Sequence, residues 1–596
     1  MAEKIVNIGG ASGAWGDSPM AIPQLLTADV HYLMMDYLAE VTMSLLARAR
    51  MKDPNAGYPP DFVGYLKRSL PEIAKRGIRV VSNGGGVNPQ GAKRALEAVC
   101  AEQGLSLKIA MVEGDDVLPR IDALRAATRE ASTGEPLPAK LLTANAYLGA
   151  LPIAAALDRG ADIVITGRCA DSALALGILM HEFQWKPDDY DKLAAGSLVG
   201  HILECGPQST GGVHTDWDKV PGWENIGYPI ASCKIDGSFV LGKPDNTGGL
   251  IVPASVAEQV LYEVGDPAAY ILPDVVADFT QVTLEQTSEN RVRVSGAKGY
   301  APTSQYKVSA TYQDGWRGVA VVSIVGPDAV AKAEKTADAL LARARLLFRQ
   351  RQLPDFNATH TEVLGAESAY GPKANARGVR EVLMRLVVDH VDREAIDIFA
   401  RELGSVGISF AQGTTGIFSG RPKPTPVVRL FTFFIDKAVL GAPKVQIGDG
   451  EPFIVGVPTQ GGFAAQPISE KVSEAASGDA DVEIDLRTLA VARSGDKGNA
   501  SNIAIIARDP AYVPLLRREV TPEKIAAHFD GLVHGKVTRF EVPGLHAFNF
   551  LLEDALGGGG MASRRIDPQG KAFGQMALEM KVRVPTALAK QLERRA

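Results

Sequence analysis

Cysteine is scarce in this chain: four residues in 596, Cys100, Cys169, Cys205 and Cys233, all far apart. No CxxC pair and no closely spaced even set occurs, which excludes the common zinc-finger spacings and a disulfide framework, and buried thiols are expected instead. A surplus of positive charge is also missing. Lys and Arg number 63 against 69 Asp and Glu, for a formal charge of −6, and no basic block stands out, so the chain is poorly equipped to neutralise a phosphate backbone and nucleic acid is not an expected partner. No apolar run approaches the roughly 18 residues of a membrane-spanning helix. The opening MAEKIVNIGGASGAWGDSP lacks the charged, apolar and small-residue regions of a signal peptide. A cytoplasmic protein with no membrane partner is the expectation.

What is present is a well-cored globular composition, 46% hydrophobic with 61 glycines. The length predicts about three to four structural units. Over residues 1–230 short β-rich apolar runs alternate with helical patterns, which predicts an α/β unit with a mostly parallel sheet flanked by helices. One helix has legible ends: Asn88 as N-cap, Pro89 in the first turn and Gly104 past the last. From 231 to 465 the segments alternate with period two, as in FTQVTLEQTSENRVRVSG and VVRLFTFFID, and predict an antiparallel-rich α+β continuation. A polar, aperiodic stretch at 466–483 reads as a linker. The segment 484–596 then reads as a small α/β sandwich, expected to fold on its own. Homo-oligomerisation is expected from the habits of cytoplasmic metabolic proteins.

In an open α/β sheet ligands bind outside the carboxyl ends of the strands, so polar residues there carry the functional reading. They include Asp17, Asp36 and nearby Glu40, Asn83, Asp115, Asp116, Asn145, Arg168 and Asp171. The run ADIVITGRCADSALALG places Arg168 and Asp171 where a strand hands over to a helix. Two readings stand: Asp171 or Ser172 caps that helix while Arg168 pairs with a neighbouring carboxylate, or Arg168 offers its fork to a substrate oxygen pair. GGGVNPQG, with Gly84 and Gly85, is either an anion cradle at a helix N-terminus or a tight turn. GGASGAWG does not match a dinucleotide-binding GxGxxG followed by a helix. His201 and Glu204 are candidate proton-transfer partners and Cys205 a conditional nucleophile. With His214 they form no recognisable zinc spacing, and no metal is expected. In ARSGDKGNASN, Ser494, Asp496, Lys497, Asn499 and Asn502 crowd one turn between two strands, as a solvated hairpin or as part of a site.

The segments DYLAEVTM, VVSNGGGVNP, TANAYLGA, DIVITGRCADSALALG, LECGPQSTGG and ARSGDKGNASN resemble the acyclic terpene utilisation A (AtuA) family over roughly residues 3–460 and 485–590. The resemblance implies an AtuA-type body followed by a ferredoxin-like domain, and a role in degrading branched or terpenoid acids through acyl-CoA intermediates. It supplies no catalytic residues, so these rest on the residue reading: Asp36, Arg168, Asp171 and Glu204 as catalytic, Asn83, Gly84, Gly85 and Asn145 as substrate-binding. The expected activity is that of a hydratase, dehydratase or lyase on a branched acyl-CoA, with no cofactor beyond coenzyme A carried by the substrate. The alternative is a non-catalytic ligand-binding or assembly partner of a pathway enzyme.

Overall fold

The computed structural model describes residues 3–464 and 482–594, so the expected linker at 466–483 lies almost wholly outside the described residues. Short apolar runs form β1 (Val6–Ser12), β2 (Tyr32–Met35), β3 (Arg79–Ser82), β4 (Ile109–Glu113), β5 (Thr143–Ala146) and β6 (Ile163–Thr166). All but β5 pair in parallel in the order β1–β2–β3–β6–β4. Helices cover both faces, which is why these strands are apolar throughout rather than alternating. The helix Pro89–Glu102 begins as the sequence predicts, with the Asn88 side chain accepting from the Gly91 amide at 3.0 Å.

Residues 231–464 contribute to three sheets, the smallest a three-stranded one of Tyr270–Ile271, Val276–Asp278 and Lys298–Tyr300. Some extend the parallel sheet at both edges with antiparallel strands: Ile230–Cys233, Phe239–Gly242, Arg291–Ser295 and Thr283–Ser288 beyond β1, Lys444–Ile447 and Phe453–Ile454 beyond β4. Others build a second antiparallel sheet on the 21-residue strand Gln305–Val325, which pairs with Glu381–His390, Thr414–Ile417 and Thr425–Asp436.

Asn145 is expected at the carboxyl end of a strand of the parallel sheet, and here the structure differs. β5 pairs antiparallel with the second sheet, Val308 opposite Ala146 and Ser309 opposite Asn145. A central parallel strand is apolar on both faces, whereas β5 alternates two alanines with two polar residues that need partners. Thr143 finds the Thr311 hydroxyl at 2.7 Å and Asn145 finds Asp115. This pairing brings the second sheet against the carboxyl edge of the first.

The C-terminal sheet has the order Ala490–Lys497, Ala500–Ala507, Ala547–Leu552, Val537–Val542, antiparallel throughout. Its period-two pattern divides two buried faces. Ile503, Ile505, Phe548 and Phe550 point into the domain's own core, while Ala504, Ile506, Ala547 and Val542 join the core of the main body. Asn502 and Asn549, both fully buried, lie on the docking face. Asn502 donates to the Leu261 carbonyl and accepts from the Glu263 amide, and Asn549 donates to the Val264 and Gly265 carbonyls. Buried amides that use their donors and acceptors on another segment's backbone fix one register of docking. Among the described residues no helix is long and apolar enough to cross a membrane.

Candidate functional site

The carboxyl ends of β2, β3, β4 and β6 meet at one mouth, as expected of parallel strands. Asp36 follows β2, and its Oδ1 accepts from Asn83 Nδ2 at 2.6 Å and from the Leu38 amide at 3.2 Å. Asn83 follows β3, is fully buried, and accepts the Tyr37 amide with its oxygen. Both ends of that side chain serve the placement of Asp36. Asp171 follows β6 and Glu204 follows the helix Tyr190–Leu203. Oxygens of Asp36, Asp171 and Glu204 all lie within 4.8 Å of one another.

Arg168 resolves the question posed by its place between strand and helix. Its Nη1 donates to Asp171 Oδ1 at 2.5 Å and to the Cys169 carbonyl at 3.1 Å, and its guanidinium lies 4.2 Å from the Tyr147 ring centroid. Neither Asp171 nor Ser172 caps the following helix through its side chain. Asp171 keeps 31% of its side chain exposed while Arg168 keeps 4%, so the carboxylate faces the cleft and the guanidinium backs it. Tyr147 donates to Glu40 Oε1 at 2.6 Å, and Lys307, from the long strand of the second sheet, lies 3.6 Å from the same oxygen. Burial pushes Glu40 up, but Lys307, Arg168 and Tyr147 outweigh it and hold its carboxyl at about 2.

The three clustered carboxyls behave oppositely. Burial, reinforced by Asp171 and Glu204, pushes Asp36 well above the usual carboxylate range. Burial, with Asp171 and Glu263, does the same to Glu204. At Asp171 burial raises the carboxyl while Arg168 opposes it. Hydrogen-bond direction agrees. His201 Nε2 lies 3.2 Å from the Val260 carbonyl, which can only accept, so that nitrogen carries the hydrogen. Burial lowers the imidazole to about 4 and keeps it neutral. With that tautomer Nδ1 is an acceptor facing Glu204 Oε1 at 3.0 Å, which favours a proton on Glu204, the direction in which burial shifts it. The same trio are the residues that could bridge a divalent cation, which would require Glu204 to give up that proton.

The other predicted residues divide. Asn145 donates to Asp115 Oδ2 at 2.8 Å, and the same oxygen accepts the Arg168 amide at 2.9 Å, so Asn145 supports the backbone of Arg168 from the second sheet. Gly84 and Gly85 have no amide free for an anion: Gly84 donates to Ser82 Oγ and Gly85 to the Thr166 carbonyl. A Cβ at Gly85 would sit 2.5 Å from that carbonyl oxygen, so glycine serves close packing there. Asp17, also at a strand end, is engaged away from the cluster by Tyr228 and the Gly13 amide. Sequence reading missed Tyr147 and Lys307. Tyr147 stands two residues beyond Asn145, and only the unexpected pairing of β5 reveals what it and Lys307 share. A cavity of 440 Å³ lined by Arg50, Asp115, Asp116 and Asn145 adjoins the site through Asp115. A larger one of 1180 Å³, lined by Gln24, Lys243 and Arg291 among others, contains none of the clustered carboxylates.

Asp115 supplies a direct pH test. Burial pushes its carboxyl to about 6, against the hydrogen bonds from Arg168 and Asn145. The folded value lies above the unfolded one, so this contribution to stability is full below about pH 4 and is lost as pH rises through about 6. Both hydrogen bonds fall on one oxygen, so Asp115→Asn keeps them. The variant is expected to gain stability relative to the parent between pH 4 and 7 in denaturant titrations, and a constant difference across that range would reject the assignment.

Residues 6–445 match the model of the acyclic terpene utilisation family protein AtuA, and residues 484–583 match the AtuA ferredoxin-like domain. No curated protein and no solved structure matches the chain. With most of its length inside these two models, in the order that the resembling segments imply, the chain belongs to the AtuA family of acyclic terpene utilisation.

Proposed function

We propose that this catabolic protein is an enzyme that moves a proton on a branched acyl-CoA or the corresponding acid, as a hydro-lyase or a carbon–carbon lyase. The observation that carries the reading is the carboxyl trio at the mouth, in which Glu204 lies against His201 Nδ1 while Asp171 lies against the Arg168 guanidinium. Paired titratable groups whose surroundings push them apart are what acid–base chemistry at neutral pH needs. In the dehydrating direction Asp171 takes the proton α to the thioester carbonyl, and Glu204 gives its proton to the departing hydroxyl, which leaves as water. The hydrating direction reverses both transfers. Asp36, held by Asn83, is itself pushed up by burial and by Asp171 and Glu204, so the three carboxyls bind their protons as a group and not independently.

The test is to incubate the full-length chain with branched enoyl-CoA and 3-hydroxyacyl-CoA esters in D₂O and follow them by mass spectrometry. Gain or loss of water, chain cleavage, or deuterium at the α-carbon is expected for at least one ester. Binding across the panel with none of these would favour the non-catalytic binding partner.

A further inference from the structure

The main body supplies only one wall of the cleft. The hairpin ARSGDKGNASN of the C-terminal domain supplies another. Its strands Ala490–Lys497 and Ala500–Ala507 close with Lys497 opposite Ala500, and Gly498 takes the left-handed conformation at φ +65° that the tight turn requires. The turn is clamped from behind. Asn499 Oδ1 accepts the Gly558 and Gly559 amides at 2.8 and 3.1 Å, and its Nδ2 donates to Asp554 at 2.8 Å. In front, Gly495 packs so closely that a Cβ would sit 2.6 Å from the Tyr262 ring and 2.7 Å from the Glu263 side chain. With the docking asparagine Asn502 in the next strand, these contacts leave the hairpin one position against the main body.

Of the cations around this cleft, three have carboxylate partners, and Arg493, over the Tyr262 ring, is taken up by the Val213 carbonyl and Gln208. Arg168 holds Asp171, Lys307 holds Glu40, and Lys571 lies 3.2 Å from Glu263 and 3.8 Å from Asp496. Lys497 is the exception. Among the described residues no carboxylate comes within ion-pair distance and no acceptor within hydrogen-bond distance of its Nζ, which stands 5.2 Å from the Tyr270 ring centroid. Its side chain is exposed to solvent, yet it stands beside the site, since Tyr270 packs on His201, the neighbour of Glu204; the surrounding protein and Lys307 lower its affinity for a proton, and Glu263, Glu40 and Glu204 act the other way. An ammonium that is held by a rigid turn, faces acid–base machinery and lacks a counter-ion is arranged for an anionic ligand.

We propose that Lys497 binds a carboxylate on the acyl part of the substrate, so that the site is completed by the C-terminal domain and the preferred substrate is a branched acyl compound that carries a free acid group. The proposal rests on the carboxyl trio being the reaction centre, but it concerns recognition and not proton transfer. Its position explains a division of labour: Arg168 is occupied in orienting Asp171, so the substrate's charge falls to the one cation left without a partner.

The probe is 3-methylglutarate, a small branched dicarboxylate, titrated calorimetrically into the full-length chain, with its dimethyl ester as the uncharged control. The acid is expected to bind and the ester is not. Lys497→Met is expected to weaken the acid roughly 10- to 100-fold, the worth of a charge-assisted contact, without lowering the melting temperature, because no ion pair is lost. Lys497→Arg is expected to restore most of the affinity. Asp171→Asn is expected to keep binding the acid, which separates failure of recognition from failure of the proposed chemistry. Absence of binding to the parent chain, equal binding of acid and ester, or unchanged affinity in Lys497→Met would each overturn the proposal.

Discussion

Replacing Arg168 with methionine is expected to destabilise the fold by about 3 kcal/mol, the lower end for breaking a buried ion pair, and to lower turnover at neutral pH. The lower end applies because Asp171 is 31% exposed and water compensates part of its charge. The effect on turnover follows from what Arg168 does to Asp171. Burial raises that carboxyl and Arg168 is the largest opposing influence, so without the guanidinium Asp171 stays protonated to a higher pH and less of it is available as a base at neutral pH. The acidic limb of the pH–rate profile should therefore move to higher pH, with some activity recovered there. Arg168→Lys keeps the charge but not the geometry of contacts to Asp171 and the Cys169 carbonyl. It should lower the rate while leaving the limb near its original place. A limb that stays put in Arg168→Met would show that Asp171 is not the titrating base.

That experiment depends on a part of the site that could be read from sequence. Parallel strands deliver their carboxyl ends to one edge whatever their loops do, which groups Asp36, Asn83, Arg168 and Asp171 from sequence; Asn145, expected with them for the same reason, arrives instead on an antiparallel strand of the second sheet. The roles were harder to read than the places. Asn83 and Asn145 are polar strand-end residues, yet both are turned inward to hold Asp36 and Asp115. A glycine run after a strand has the same letters whether its amides face a ligand or a neighbouring carbonyl, and at Gly84 and Gly85 they face the protein.

What was not legible depends on contacts between segments far apart in the chain. Tyr147 and Lys307 meet Glu40 because β5 left the first sheet for a strand more than 150 residues away, Ser309 being paired with Asn145. No local pattern announces that choice. The C-terminal hairpin posed a related difficulty. Its crowding of polar residues was visible, but a solvated turn and a cleft wall differ only in what lies opposite, and here that is Tyr262, Glu263 and Tyr270 of the main body. The alternation of Ile503 and Ile505 with Ala504 and Ile506 did carry a hint, since a strand apolar on both faces needs cover on both.

Glu204→Gln is expected to leave the fold intact and reduce turnover by about 100- to 10,000-fold, the range lost with a general acid. The fold survives because the amide reproduces the observed donor: a glutamine N–H can reach His201 Nδ1 as the protonated carboxyl does, and the remaining oxygen keeps its place beside Asp36 and Asp171. The turnover does not survive because an amide has no proton to give. Stability should also reveal the protonation state. Burial sets the folded affinity of Glu204 for its proton above the unfolded one, so its contribution is full below about pH 4 and is lost as pH rises through the folded titration. The glutamine variant carries no such dependence. It should be no more stable than the parent at pH 4 and should gain on it steadily as pH increases, a trend that denaturant midpoints measured from pH 4 to 9 would record. If the variant instead lost stability relative to the parent with rising pH, Glu204 would be an ionised partner of a charged His201, and the acid in the mechanism would have to be Asp36.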